Sequence, residues 1–186
     1  NGAFSGTSDQ AISISRGLIK ESLRSKADFP TADLVSGLAR RGRLATFNDD
    51  NIHGLFEITY GKRNCFLALS LLYEGQRWGA SGYHIDHIIP RSLANREKLM
   101  AMNLPEDRIV EILSSVDRLG NLQLLLGREN LEKSDTPFNH WIISRDAAFA
   151  ERHMIPADQS LWTVEMLPEF VREREKAIKE RINAQF

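Results

Sequence analysis

The sequence predicts an α+β domain, mainly helical, and three observations lead there. Apolar residues recur at helical spacing through most of residues 8–73 and again over 167–185. Only two short segments, Tyr83–Ile89 and Leu122–Leu126, have the apolar, turn-bounded character of strands. The chain has 186 residues, 42% of them hydrophobic and 26% charged, which suits one globular domain or a domain with a helical annex.

Each element has its own justification. Ile12, Leu18, Ile19 and Leu23 fall near helical spacing over residues 8–26, with Ser8 or Asp9 able to cap the start. Thr31 is placed to cap a second helix through Leu34, Leu38 and Ala39, and Gly42 to end it. Asn48 to Asp50 offers an N-cap before Ile52, Leu55, Phe56 and Ile58. Residues 63–73 are apolar nearly all round, which predicts a buried helix with Cys65 as a small buried hydrophobe. Gly75, Gly79 and Gly82 mark a loop, and Pro90 stops the strand that follows. Residues 95–116 read as two short helices split at Leu104-Pro105, and a short helix is expected at 128–134 after the second strand. Pro137 opens another helix with Trp141 and Ile142. The terminal helix, 167–185, has Pro168 in its first turn; its charge run reads as a solvated face, with Phe170, Val171, Ala177, Ile178 and Ile182 as the buried side.

Composition narrows the function. The net charge is −1, with +3 on residues 1–47 and −2 on each of 48–116 and 117–186. Gripping nucleic acid by bulk electrostatics needs a basic excess, so any nucleic-acid function must rest on a local site. Arg40, Arg41 and Arg43 form the one basic cluster of note. A single cysteine rules out an internal disulfide and a cysteine-based zinc site. No apolar run is long enough to span a bilayer. With neither a signal peptide nor an initiating Met, the expectation is a cytoplasmic piece of a longer protein.

The chemistry concentrates in His84-Ile85-Asp86-His87, where two imidazoles and a carboxylate fall within four residues. On a regular strand His84 and Asp86 share one face and Ile85 points to the core. Downstream come Gly120-Asn121-Leu122, then Asn130, then Lys133, three residues on and on the same helix face. The run Asp86-His87-Ile88-Ile89-Pro90 with these residues resembles the HNH nucleases and their ββα-metal site. The spacing Asn121–Asn130–Lys133 also looks like the HNH module of RNA-guided CRISPR nucleases. A closer likeness, over about residues 52–145, is to the C-terminal nuclease domains of GmrSD-like and SspE-like phage-restriction proteins. There a helical stretch similar to Tyr60–Tyr73 leads into the His-x-Asp-His-Ile-x-Pro strand.

Phosphodiester hydrolysis needs an activated water, charge relief on the phosphate and a stabilised leaving oxygen. His87 is the candidate general base, because a neutral imidazole accepts a proton near neutral pH. Mg²⁺, or alternatively Mn²⁺, takes few protein oxygens, and Asp86 with the amide oxygen of Asn130 fits that pattern. Asn121 sits at the strand entrance, able to bridge backbone groups and hold the His87 loop. Lys133 is the candidate phosphate contact, and His84 a possible phosphate or metal-shell contact. His53, His140 and His153 carry no motif and read as ordinary helix or loop residues.

The resemblance implies a helical N-terminal part at 1–82, a ββα-metal core at 83–149, and a C-terminal helix within 150–186 packed on that core. It also implies DNA as substrate, an N-terminal nucleotide-hydrolysing domain of the same polypeptide as partner, and a role in restricting phage DNA. Two other readings stand beside it. His84, Asp86, His87 and His140 would be the ligands of a structural zinc module. Alternatively, the domain would bind nucleic acid with an inactive HNH site.

Overall fold

The computed structural model describes residues 8–25, 29–41, 49–73 and 82–185. The chain divides into two compact units, Asn1–Asn51 with Phe186, and Ile52–Gln185. The expected Gly42 stop, the Asn48 cap, Arg43 of the basic cluster, and the Gly75 and Gly79 loop positions lie outside the described residues.

In the first unit, helices α1 (Ser8–Ser25) and α2 (Thr31–Ala39) pack on each other, burying Ala11 and Leu38. Gly37 permits the close approach, since a Cβ there would lie 2.5 Å from Cδ1 of Leu18. Thr31 is not the expected cap. It is the first helical residue, preceded by Pro30, and no side chain caps this end. The ring of Pro30 fixes its own φ and turns the chain into the helix without a hydroxyl.

The second unit holds the strands. It runs through α3 (Asp49–Phe56, from Ile52 on), α4 (Cys65–Ser70), β1 (Tyr83–His87), α5 (Arg96–Ala101), α6 (Glu106–Ser115) and a 3-10 turn at Leu119–Asn121. There follow β2 (Leu122–Leu126), α7 (Gly127–Lys133), α8 (Phe138–Trp141), α9 (Phe149–Arg152) and α10 (Leu167–Gln185). The strands pair antiparallel, with Asp86 opposite Gln123 and His84 opposite Leu125, and β2 runs straight into α7. Mainly helical with one small antiparallel pair, this is the α+β class that the periodicities predict. The core gathers Ile88, Leu99, Ile109, Ile112, Leu125, Phe138, Phe170 and Val171.

Three local expectations change. The apolar run at 63–73 is helical only over Cys65–Ser70; Cys65, Ala68 and Leu69 are buried, but Leu67 is 65% exposed. One face of α4 packs on β2, so an all-round apolar sequence buries one side only. The first strand ends at His87 rather than Ile89, because both backbone polar groups of Ile89 bond to the Asn121 side chain instead of a strand neighbour.

The third change lies in α10. Phe170, Val171, Ile178 and Ile182 are buried as expected, yet so are Arg174 and Glu175 from the charge run. The Arg174 guanidinium is wholly buried and donates to the carbonyls of His153, Gly120 and Leu122 at 2.9, 3.0 and 2.7 Å. Burial draws its pKa down to about 10, still protonated at neutral pH. Helix and turn approach so closely that a Cβ on Gly120 would lie 2.8 Å from the Val171 carbonyl. Glycine is required there by space, not by backbone angle.

His153, expected to be an ordinary residue, is buried, stacked on Phe149 with centroids 4.0 Å apart, with Nδ1 3.1 Å from the Tyr73 hydroxyl. Burial, helped by the charges of Arg174 and Arg152, pulls its pKa down to about 3. An unfolded imidazole titrates near 6.5, so the unfolded chain binds the extra proton first. The contribution of neutral His153 is therefore complete above about pH 6.5 and is lost as pH falls toward about 3. Thermal melts of wild type and His153→Gln between these limits should show a steeper acid loss in the wild type. Parallel profiles would mean that His153 does not couple folding to pH.

Candidate active site

Asp86 and His87 at the end of β1, with the elements packed around them, build the site. The burial pattern of β1 reverses the sequence expectation: Ile85 is only half-buried, whereas Asp86 is 7% exposed. The inward position is tolerable for a carboxylate because its charge is met. Lys133, on the last turn of α7 and 0% exposed, brings Nζ to 3.2 and 3.1 Å from the two Asp86 oxygens. The same ammonium donates to the His87 carbonyl at 2.7 Å, and Gln123 donates to Asp86 at 2.8 Å across the strand pair. Burial pushes the Asp86 carboxyl up and the Lys133 ammonium down, and the attraction between them opposes both shifts.

This corrects the expectation for Lys133. Its ammonium is neither a solvated surface group nor available to a phosphate; it is consumed under the strand. Trp141 covers it, with the ammonium 5.9 Å from the ring centroid, and Arg145 reaches Glu132 at 2.8 Å on the same helix. Both ties fix the orientation of α7.

That orientation sets Asn130, one turn before Lys133. Its amide nitrogen lies 3.4 Å from Nδ1 of the exposed His84, so the amide oxygen takes no part in that contact. Asn121, wholly buried, accepts from the Ile89 N–H at 2.9 Å and donates to the carbonyls of Ile89 and Val116 at 3.0 and 2.9 Å. Its own carbonyl accepts from Ile88 at 2.8 Å. Three of these bonds hold the chain just past His87, and the fourth ties Asn121 to Val116.

His87 is half-buried, with Nε2 2.8 Å from the Asp117 carboxylate and its ring 4.5 Å from the ring of Tyr60. Desolvation lowers its pKa, with Asp117 pulling the other way, so at neutral pH the ring is an uncharged imidazole. Asp86, His87 and Asn130 line one open cleft of about 320 Å³ with Tyr60, Arg91 and Ser134. His140, by contrast, is exposed on α8 and His53 on α3. Among the described residues no three His, Cys, Asp or Glu side chains gather to hold a metal ion. The four-ligand zinc module therefore fails: Asp86 faces Lys133, His87 faces Asp117, and His140 stays apart.

Sequence reasoning missed Tyr60, Asp117, Gln123 and Arg174. Asp117 lies 30 positions from His87 and Gln123 lies 37 from Asp86, so no local spacing joins them. The one available signal was Gln123, a polar residue inside the otherwise apolar run LQLLL.

A helical domain with one antiparallel strand pair, and with an imidazole, a carboxylate and an amide converging at the strand end, is here a nuclease domain of the restriction-endonuclease type. The match is to the family described as GmrSD restriction endonucleases, C-terminal domain, over residues 42–181, and the chain belongs to that family. Comparison with curated proteins returns no match. Among the described residues no helix is long and apolar enough to cross a membrane.

The buried ion pair is testable through folding. Lys133→Met leaves Asp86 buried without its partner, and urea unfolding should show a loss of about 3–5 kcal/mol. Combining it with Asp86→Asn should recover much of that, giving a favourable interaction energy between the sites. Additive losses would show that the two side chains do not depend on each other.

Proposed function

We propose that this chain is an HNH-type endonuclease domain that hydrolyses DNA phosphodiester bonds with a divalent metal, Mg²⁺ or alternatively Mn²⁺. One observation carries the reading: Asp86, His87 and Asn130 share a single open cleft. Its donor chemistry suits such a cation. A carboxylate oxygen has two lone pairs, so the inward bonds to Lys133 and Gln123 leave acceptor capacity on Asp86. One carboxylate plus one amide oxygen matches a hard ion that keeps water and phosphate oxygens as its other ligands. When bound there, the metal supplies charge relief on the phosphate and on the departing 3′ oxygen.

The protein's own residues do the rest. His87 takes a proton from water; the water oxygen bonds to phosphorus as the bond to the 3′ oxygen breaks, its electron pair leaving with that oxygen. Asn121 holds the chain that carries His87, and Lys133 holds Asp86 from below. His84 limits the swing of the Asn130 amide. The parent protein would add an N-terminal nucleotide-hydrolysing domain and act in the cytoplasm against phage DNA, and a net charge of −1 is compatible with a partner domain that supplies much of the DNA grip.

Plasmid nicking with Mg²⁺ should be lost with EDTA, and His87→Ala should lower the rate about 10²–10⁴-fold in a folded protein. Near-wild-type nicking by that variant would remove His87 as base. Asn130→Ala should abolish cleavage at limiting metal while Asn130→Asp, which still offers oxygen, keeps part of it. Normal cutting by Asn130→Ala under those conditions would exclude it as a ligand.

A further inference from the structure

Asp117 lies just before the 3-10 turn of Asn121, outside the motif. Its Oδ1 is 2.8 Å from His87 Nε2, and its Oδ2 is 3.7 Å from the Arg91 guanidinium. Its backbone carbonyl accepts from the Tyr60 N–H at 2.8 Å, and the ring of Tyr60 packs on His87. One residue therefore fixes both an edge of the imidazole and the segment that covers its face. Nδ1 of His87 has no hydrogen-bond partner among the described residues.

We infer that Asp117 is the positioning residue for His87, holding the tautomer with the proton on Nε2 so that Nδ1 is the atom that accepts the proton from water. The inference rests on the nuclease reading for its role in cleavage, but the tautomer stands on geometry alone. An ionised carboxylate only accepts hydrogen bonds, so a neutral imidazole can meet it only with Nε2–H. That leaves the Nδ1 lone pair as the single basic site on the ring. Without the carboxylate, both tautomers become available and the ring can turn about its side-chain bonds. Tyr60 stays in place, because its link to Asp117 is through the backbone.

The experiment pairs a spectroscopic readout with kinetics on the 186-residue chain. In nitrogen-15-labelled protein, at a pH where every imidazole is neutral, long-range proton–nitrogen spectra identify the His87 tautomer, with the resonance assigned by its disappearance in His87→Gln. The wild type should show the Nε2–H form, Asp117→Ala a mixture, and Asp117→Asn, whose amide oxygen still accepts, mostly Nε2–H. In nicking of supercoiled plasmid with Mg²⁺, Asp117→Ala should lower kcat by about 10²-fold with little change in KM, and Asp117→Asn should recover part of it. Thermal melts confirm that each variant is folded. An unchanged tautomer in Asp117→Ala, or a folded Asp117→Ala that cuts like wild type, overturns the inference. Equal kcat losses in the Ala and Asn variants, with KM raised in both, also overturn it, because they mark a general structural role. If the wild type shows Nε2–H but does not cut plasmid, the nuclease reading fails and the tautomer assignment survives.

Discussion

The Lys133 ammonium, buried between Asp86 and the His87 carbonyl, is the contact on which the site's geometry depends. Each group alone would be costly to bury, and together they are tolerable only with good geometry and additional hydrogen bonds. Gln123 and the His87 carbonyl supply those bonds. The consequence is directional: α7 cannot rotate or slide along the strand pair without stranding a charge. Asn130 and the end of β1 therefore keep a fixed relation, although they lie 43 positions apart in sequence, from His87 to Asn130.

A second tier fixes where that assembly ends. Asn121 takes over the backbone groups of Ile89 and so stops the strand at His87, the second residue of the Asp-His pair. It can do so only if its own turn is held, and α10 does the holding. Arg174 gathers carbonyls of that turn while Gly120 lets the Val171 backbone come close enough for the guanidinium to reach. A neutral side chain could fill the volume, but it could not satisfy several inward-facing carbonyls at once. The terminal helix is thus tied to the site through two residues rather than through apolar packing alone.

Much of this was legible and some was not, for identifiable reasons. Periodicity located both strands and the helices α5 to α8 and α10, because these rest on local patterns of apolar residues, Gly and Pro; the four-residue α9 carries too little pattern to be read. The Asp-His-Ile-x-Pro strand with Asn121, Asn130 and Lys133 pointed to one site, since those spacings survive on short, contiguous elements. What failed was burial of charge. Arg174 and Glu175 read as solvated because charged side chains usually are, and Lys133 read as a phosphate contact, which also needs an accessible ammonium. Their inward turn is decided by partners 21–57 positions away, which spacing cannot encode. Asp86 and Ile85 exchanged expected places for the same reason: alternation tells which residues share a face, and only the tertiary partner tells which face is inside.

Charge distribution gives the last constraint. In this cleft Asp86 is matched by Lys133, and Asp117 lies near Arg91, while His87 is uncharged at neutral pH. Asp135 also lines the cleft, so the cleft carries no basic excess, as the chain carries none at −1. Such a surface offers little long-range attraction to a polyanion, so encounter with DNA would gain little from the steering that basic nucleic-acid proteins use. On the proposed reading, selectivity for phosphate then rests on groups that act at contact distance: the Asn130 and Asp86 oxygens through a cation, and the exposed Arg91 at the cleft mouth. Residues 1–47 carry a +3 excess in the other unit, which is where a longer-range contribution from this chain would have to originate. On the proposed reading, chemistry and attraction fall to different parts of the chain, and a domain built this way would be catalytically local and dependent on its surroundings for capture.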